Sequence, residues 1–482
     1  MMILTQLPKS IRNMLIYAVS LFLAKGISLI MLPLIAHYLS PEQLGQLELL
    51  ATTTVFLSLL VGFAMHENLY RFVGEIEDQQ KQFTKVCELY TYAVVISAVV
   101  GALVAIVLFM APSTKNILST QNISLICLVL AFESALGIST AWLRFQDKAR
   151  TFFVICMMSS VLQVSGVIAV LVYSPSVTHV FAVGVFTSLI QLLVLHGVNR
   201  FNWIWAGFTH LFSMLRYSTP LMLSALVAFG LSGAEKWIIG YSVSIETLGL
   251  YAVAAKFSLA MCILIQPFGM WWMPKRFNAL ATKGVNYTAQ VTQVGMVYIT
   301  LLAISVASFS QIFIMIALPS AYINAAELVA GVVIVALFKE LAELVNIGIL
   351  NQKKTRWVLN INIVCTLLGL ALSWVLTTTA MFGELGIWGV IIAIAIAQVS
   401  RSALLLFYSQ QLNPLPYQYH ALLLILVNTL GCLVLSLTTE NSVWLVMIAF
   451  IGVIFNLTVA YQFKFFSEFD LPSIPHLFPK RV

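Results

Sequence analysis

Apolar runs of twenty or more residues recur along this chain from Met14 almost to its C-terminus. A run of about twenty apolar residues crosses the hydrocarbon core of a bilayer when it forms an α-helix. Only 9% of the residues are charged, whereas soluble domains carry roughly 25%, so most of the surface cannot face water. The pattern predicts an all-α, polytopic membrane protein.

The apolar runs divide into fourteen predicted transmembrane helices joined by short connections. Turn-forming stretches such as "SPEQLG", "APSTKN" and "NPLP" separate them. The predicted spans cover about 14–38, 46–71, 87–111, 122–142, 152–173, 179–198, 216–241, 249–272, 290–318, 326–350, 357–380, 387–408, 420–438 and 443–463.

The lysine and arginine residues predict the orientation of these helices, because such residues accumulate in cytoplasmic loops. If the N-terminus is cytoplasmic, the outer loops of the fourteen-helix topology contain only Lys115 among the 25 basic residues. Both termini are then cytoplasmic. Four lysines lie inside predicted spans: Lys25, Lys236, Lys256 and Lys339.

Two short motifs occur twice, at nearly the same spacing. "HYLSPEQLGQLELL" (His37–Leu50) matches "YSVSIETLGLYAVA" (Tyr241–Ala254), and "RFQDKARTFF" (Arg144–Phe153) matches "LNQKKTRWVL" (Leu350–Leu359). The offset is 204 residues for the first pair and 206 for the second. Each copy falls in the corresponding loop of its half, which indicates an internal duplication.

The duplicated unit contains six predicted helices, so the second copy begins on the same side of the membrane as the first. We therefore predict two pseudo-symmetric, parallel six-helix bundles, residues 1–205 and 206–410, and two further helices with a tail in residues 411–482. Facing bundles can expose a cleft to one side of the membrane at a time, as in alternating-access transporters. Plain duplication in a structural membrane protein is the alternative. Pro33 and Pro267 are predicted to bend the first and eighth spans.

Several stretches resemble one family of bacterial transporters. "PLIAHYLSPEQLG" resembles the turn after the first helix of Wzx-type lipid-linked oligosaccharide (O-antigen) flippases. "IETLGLYAVAAKFS", "WWMPKRF" and the two Q-x-K-x-R loops resemble that family as well. These flippases belong to the multidrug/oligosaccharidyl-lipid/polysaccharide (MOP) exporter superfamily, whose MATE-like fold has two six-helix bundles and often two extra C-terminal helices.

The resemblance implies a flippase that moves an undecaprenyl-diphosphate-linked oligosaccharide across the bacterial inner membrane without covalent chemistry. We predict coupling to the membrane potential or to proton antiport, because an anion that leaves a cell with a negative interior gains roughly 2.3 kcal/mol per charge per 100 mV. The six scattered cysteines form no CxxC pair or His/Cys cluster, so no metal site is expected, and neither a cofactor nor a nucleic acid is expected. Membrane lipids surround such a protein, and a polysaccharide polymerase and a chain-length regulator are the expected pathway partners.

Charges inside the spans are the candidate site residues, because a charged group at the centre of a bilayer must face a cavity or a partner. Lys25 and Lys256 could bind the diphosphate, for which an ammonium is suited. Their alternative role is a structural ion pair with Glu48 or Glu133. Arg71, at the inner end of the second span, could also meet a phosphate, although the positive-inside rule already explains it.

Two carboxylates are candidates for proton coupling. Glu133 stands alone near the middle of the fourth span, where it could carry a proton inward or simply form a buried hydrogen bond. Lys339 and Glu343 lie four residues apart in the tenth span. A local ion pair explains them; otherwise Lys339 is a substrate contact and Glu343 a coupling carboxylate.

Three other functions are alternatives to the flippase. A multidrug or cation exporter of the same superfamily would call for an acidic, aromatic cavity, against which Lys25 and Lys256 argue. A peptidoglycan-precursor flippase would have a more arginine-rich first helix. A polysaccharide polymerase or ligase would need catalytic histidine and arginine residues in a large outer loop, and the predicted outer loops are short.

Overall fold

The computed structural model describes residues 16, 19, 22–23, 26–74, 76–110, 119–378, 385–439 and 441–467. Every regular element within these residues is helical, so the all-α prediction is confirmed. The predicted outer-loop Lys115 and both chain termini lie outside the described residues.

Eighteen α-helices follow one another along the described chain. They are α1 (Leu32–Tyr38), α2 (Pro41–Gly62), α3 (Met65–Asn68), α4 (Gln79–Met110), α5 (Thr120–Phe145), α6 (Ala149–Tyr173), α7 (Val177–Asn199), α8 (Phe208–Gly230), α9 (Glu235–Ser242), α10 (Ile245–Trp272), α11 (Arg276–Thr282), α12 (Gly284–Ala317), α13 (Ala325–Val345), α14 (Ile347–Asn351), α15 (Thr355–Thr378), α16 (Gly386–Leu412), α17 (Tyr419–Ser436) and α18 (Ser442–Gln462).

Among the described residues, twelve of these helices are long and apolar enough to cross a membrane. They are α2, α4 to α8, α10, α12 and α15 to α18. Helix α13 has the required length but carries Lys339, Glu340 and Glu343 within one and a half turns. The first predicted span is only partly described, so the count of fourteen stays a prediction, as does the orientation.

The chain divides into two compact units. The first unit consists of Met1–Val253, Ala317–Asn324 and Thr366–Ile394, and the second of Ala254–Ile316, Ala325–Cys365 and Ala395–Val482. In the first unit, α4 and α5 form the centre of an apolar core that includes the buried Tyr92 and Trp142. The predicted domain division at residues 205 and 410 stays a prediction.

The first repeated motif begins a long helix in both of its copies. Ser40 caps α2: its side chain accepts a hydrogen bond from the backbone N–H of Gln43, and Gln43 accepts one in return from the Ser40 N–H. Ser244 precedes α10 and accepts a hydrogen bond from the backbone N–H of Thr247 at 3.0 Å. A serine that satisfies the free N–H groups of the first turn fixes where each helix starts.

The second repeated motif makes the same helix–turn–helix connection twice. Asp147, between α5 and α6, and Lys353, between α14 and α15, both have a φ of 56°. The backbone N–H of the next residue then reaches back five positions, from Lys148 to Leu143 and from Lys354 to Ile349. This is the left-handed C-terminal turn that closes many helices, and its recurrence gives the sequence repeat a structural counterpart.

Two prolines were predicted to bend helices. Pro33 lies in the first turn of α1, directly after a turn at Met31, whereas Pro267 lies inside α10, which is continuous from Ile245 to Trp272.

Three breaks were not predicted. The predicted span 216–241 is divided between α8 and α9, and the predicted span 326–350 between α13 and α14. The second span was expected to continue to residue 71, but α2 ends at Gly62, and Phe63 and Ala64 adopt left-handed conformations with φ of 46° each.

Candidate functional site

A cavity of about 400 Å³ lies within the membrane-spanning helices of the first unit. Most of its wall is apolar, and we name it the polar cavity after the seven polar residues in its lining. Helices α2, α3, α5 and α8 line it. Its polar lining residues are Thr54, Ser58, His66, Glu133, Ser134, Thr140 and Arg144. Hydroxyl and charged groups are costly in hydrocarbon unless they serve a polar occupant or one another, so this cavity is the strongest candidate site in the first unit.

Glu133 is the carboxylate of this cavity and lies midway along α5. Glu133 is half-buried, and it forms no hydrogen bond or ion pair with the part of the chain that the structure describes. Arg144, near the end of α5, is exposed and lines the same cavity. The prediction that Glu133 occupies an intramembrane site is compatible with this geometry, but its role in coupling stays a prediction.

His66 enters the cavity because the chain changes direction after α2. The left-handed residues Phe63 and Ala64 end α2, and the single turn of α3 follows with His66 in it. The His66 Cβ lies 3.9 Å from where a Cβ on Gly137 would stand. The sequence does not predict this position of His66, since neither Phe63 nor Ala64 is a residue type that signals a left-handed turn.

An ion pair also lies inside the first unit. The Lys236 Nζ is 2.5 Å from the Glu48 Oε1, and the two side chains are only 19% and 20% exposed. One residue along, the Trp237 Nε1 donates a hydrogen bond to the Thr53 Oγ1 at 3.1 Å. Glu48 is the expected partner of Lys25 or Lys256; in the structure it pairs with Lys236 of α9, and Lys25 lies outside the described residues.

In the second unit, Glu343 does not form the local pair that its spacing suggested. Its Oε1 accepts a hydrogen bond from the Arg401 Nη2 at 2.6 Å, and Arg401 also donates to the Asn362 Oδ1 at 2.8 Å. The prediction of a Lys339–Glu343 pair is therefore wrong. Arg401 of α16 is the partner of Glu343, and its planar guanidinium matches the geometry of a carboxylate better than an ammonium does. Lys339 is half-buried on α13.

Arg276 belongs to the same polar cluster. Its residue is 7% exposed, and its Nη1 donates hydrogen bonds to the Glu343 backbone oxygen at 3.2 Å and to the Asn346 Oδ1 at 3.1 Å. Burial lowers the pKa of the Arg276 guanidinium, while the Glu343 carboxylate raises it. These contacts bind α11 to the end of α13.

The other predicted substrate residues are dispersed. Arg71 is exposed in a π-helical turn that follows α3 in the first unit. Lys256 is half-buried on α10 in the second unit. Lys25 lies outside the described residues. Their roles as substrate contacts stay predictions.

An apolar groove of about 510 Å³ lies in the second unit, between α12, α13, α16 and α17. Its wall is made chiefly of leucine, isoleucine and valine side chains, including Leu341, Val399 and Leu426, with Tyr417 and Tyr419 where α17 begins. Such a surface suits a hydrocarbon chain.

A buried hydrogen-bond network attaches the C-terminal helix pair to the rest of the second unit. The Asn456 Nδ2 of α18 donates to the Thr429 Oγ1 at 2.9 Å and to the Thr300 Oγ1 at 3.4 Å. Its Oδ1 accepts from the Asn428 Nδ2 at 2.9 Å. Among the described residues, no group of three or more His, Cys, Asp or Glu side chains could hold a metal ion.

The fold is that of MOP-superfamily transporters. The chain superposes on the lipid II flippase MurJ in an inward closed conformation with a TM-score of 0.67 and 15% identity, over 93% of this chain and 98% of that one. It superposes on an inward-facing multidrug resistance MATE transporter with a TM-score of 0.57 and 14% identity, over 82% and 94%. A MOP transporter from Pyrococcus furiosus gives a TM-score of 0.50 and 13% identity, over 83% and 95%.

Sequence comparison is more specific. No curated protein matches the chain. The family model described as polysaccharide biosynthesis protein matches residues 10–278, more than half of the chain. This multi-pass membrane protein, with its polar cavity and apolar groove, thus belongs to the polysaccharide biosynthesis protein family.

Proposed function

We propose that the protein is a flippase that moves an undecaprenyl-diphosphate-linked oligosaccharide from the cytoplasmic to the outer leaflet of a bacterial inner membrane. The observation that carries this proposal is the polar cavity in the first unit, where Glu133, His66 and Arg144 share one space with serine and threonine hydroxyls. A sugar chain carries many hydroxyl groups, and a lining of hydroxyls and charges replaces their water hydrogen bonds inside the membrane.

The apolar groove of the second unit supports the same substrate class, because it suits the lipid end of the substrate. A polyprenyl chain is a long hydrocarbon, and the groove exposes almost only hydrocarbon from four helices. Apolar surface that moves from water into such a groove gains roughly 25 cal/mol per Å². A polyprenyl chain moves into the groove from lipid and not from water, so it gains little of this free energy. We therefore assign the groove a role in orienting the lipid rather than in supplying affinity.

Coupling follows from the charge of the substrate. An anion that leaves a cell with a negative interior gains roughly 2.3 kcal/mol per charge per 100 mV, so a diphosphate could be driven outward by voltage. Proton antiport through Glu133 is the second driving force that we propose. A polysaccharide polymerase and a chain-length regulator remain the expected pathway partners of the protein, and membrane lipids surround it.

A cation exporter of the same superfamily is the second candidate, and Glu133 is the observation that favours it. A carboxylate without a described partner could receive a cationic drug. Arg144 and His66 line the same cavity and oppose that reading when they are charged.

The test is flipping in proteoliposomes. A fluorescent lipid-linked oligosaccharide is reconstituted with the protein, and a membrane-impermeant reductant reports which leaflet holds the label, at fixed voltage with and without a pH step. We expect voltage or the pH step to accelerate flipping. Indifference to both removes coupling, and transport of a cationic dye without oligosaccharide flipping assigns the protein to the exporters.

A matched pair of variants ties the activity to the cavity. R144A removes a cavity charge, and R150A removes an exposed arginine on the next helix that does not line the cavity. We expect R144A to reduce flipping and R150A to leave it unchanged. Equal effects would mean that positive charge near this membrane face matters, and not the cavity.

A further inference from the structure

The break between α2 and α3 is the most strained backbone segment that faces the polar cavity. Phe63 and Ala64 are consecutive and both have a φ of 46°. The left-handed conformation costs a residue with a Cβ roughly 1–2 kcal/mol. Two such residues in succession persist only where the surrounding structure holds them, and strain of this kind concentrates at functional sites.

The break determines where the His66 side chain lies. A continued α2 would carry residue 66 along the helix axis, whereas the left-handed turn starts a new helix at Met65. The His66 Cβ then lies beside Gly137 of α5, 3.9 Å from the position that a Cβ on this glycine would take. Glu133 precedes Gly137 by one turn on the same helix, a rise of about 6 Å.

His66 and Glu133 are therefore neighbours in one cavity, about one helical turn apart, and both line it. The cavity volume of about 400 Å³ leaves room for water between the two side chains. The His66 side chain is also 45% exposed. Glu133 lies deeper within α5, and His66 lies beyond the end of α2 on the side that the basic residues predict to be cytoplasmic.

The charged groups around the imidazole come from two elements. Glu67 of its own turn lies with its Oε1 3.4 Å from the His66 Nε2. Helix α5 contributes Glu133 and Arg144 to the same cavity, and α8 contributes Met222 and Ala225, which do not titrate. An imidazole with one carboxylate beside it and a second one deeper in the membrane has the arrangement of a proton shuttle.

We propose that His66 transfers protons between Glu133 and the cytoplasmic side during the flipping cycle. This inference rests on the proposed function and assigns a proton path to one of its two driving forces, proton antiport. The protonated Glu133 gives its proton, through bridging water, to one nitrogen of the neutral imidazole. The imidazolium releases the proton on its other nitrogen to cytoplasmic water. Glu133 is left as a carboxylate, the imidazole is neutral again, and one proton has moved inward.

The test compares H66Q with H179Q in proteoliposomes that contain a pH-sensitive dye. His179 is exposed near the start of α7 and lies close to Ser174, outside the cavity, so H179Q is the matched control. We expect H66Q to slow both proton entry and pH-driven flipping by roughly tenfold or more, in line with the loss of a general acid–base group. H179Q should retain the wild-type rates of both.

Chemical rescue separates a shuttle from a structural role. Added imidazole should restore proton entry and flipping in H66Q, because a diffusible base can replace the missing ring but cannot repair packing. If H66Q does not fold, H66R takes its place, since arginine keeps a positive charge beside Glu67 yet releases no proton at neutral pH. Wild-type rates in the folded variant, or a loss that imidazole does not rescue, would overturn the shuttle.

The outcomes also distinguish this inference from the proposed function. A wild-type protein that flips the oligosaccharide without moving protons overturns the role of His66 and leaves the flippase intact. A wild-type protein that moves protons but flips no oligosaccharide overturns the flippase.

Discussion

Gly45 of α2 and Gly249 of α10, which occupy the same position in the two copies of the first repeated motif, lie against each other in the first unit. The position of a Cβ on Gly45 would overlap the backbone oxygen of Ile245, and that of a Cβ on Gly249 would overlap the backbone oxygen of Pro41. The contact is reciprocal, as two helices related by an approximate two-fold axis require. It brings the starts of the two motifs together on the predicted outer side.

The first prediction concerns these glycines. G45A and G249A should each lower stability by about 1–3 kcal/mol, the cost of forcing extra atoms into a closely packed contact, because the obstructing atoms belong to backbone that cannot rotate away. Thermal unfolding of the purified protein measures this. G431A is the control, since nothing lies within 4 Å of a Cβ there, and alanine is the better helix former. An equal melting temperature for G45A and wild type would mean that the two helices separate without cost.

The second prediction concerns the ion pair between Glu48 and Lys236. K236M should lower the free energy of unfolding by about 1.5–3 kcal/mol, the contribution of a hydrogen bond between charged groups, because it removes the Lys236 ammonium from the largely buried Glu48 carboxylate. The charge swap E48K with K236E should recover part of the loss. K81M, which removes an exposed lysine at the start of α4, is the control. Single and double variants that add without interaction would show that the two charges do not stabilise each other.

The duplicated motifs marked where the chain turns between helices, although the helices that follow the first motif were predicted to begin at 46 and 249 and instead begin at Pro41 and Ile245. Ser40 and Ser244 mark helix starts through their side chains, and the loops at Asp147 and Lys353 share their spacing from the preceding helix. Hydrophobic period and capping are local properties, so one sequence is enough to find them. The count of apolar runs gave the class of protein for the same reason.

Partners across helices could not be predicted in this way. Glu343 pairs with Arg401 and not with Lys339, because side-chain reach and helix packing select among charges that sequence spacing alone makes equivalent. The cavity position of His66 depends on the left-handed conformations of Phe63 and Ala64, and neither is a residue type that favours this conformation. The surrounding packing imposes the turn, and the packing cannot be predicted from a single sequence.

The third prediction concerns the apolar groove. A403W should fill the space between α16 and α17 and slow the flipping of a substrate with a full-length polyprenyl chain by roughly tenfold, the effect of about 1.4 kcal/mol on the transition state. A substrate with a chain of two or three prenyl units should be affected less. L424W places the same ring on an exposed part of α17 that does not line the groove. Equal slowing of long and short substrates by A403W would exclude the groove as the site of the chain.

The fourth prediction concerns the network that attaches α17 and α18. Asn456 is fully buried and hydrogen-bonds to Thr300, Thr429 and Asn428. N456L keeps the branching of the side chain at Cγ but removes these hydrogen bonds and leaves the Asn428 amide with one partner fewer. Because hydrogen bonds between membrane helices contribute roughly 1–2 kcal/mol at most, we expect a loss of that size.

Limited proteolysis between α16 and α17, together with thermal unfolding, measures this loss. N360L is the matched control, since Asn360 is exposed on α15, and leucine at a lipid-facing position should be neutral or stabilising. Flipping should fall in N456L alongside stability, because α17 forms one wall of the apolar groove and Thr300 lies in that groove. A variant as stable as wild type that still flips normally would show that the helix pair is held by apolar packing alone.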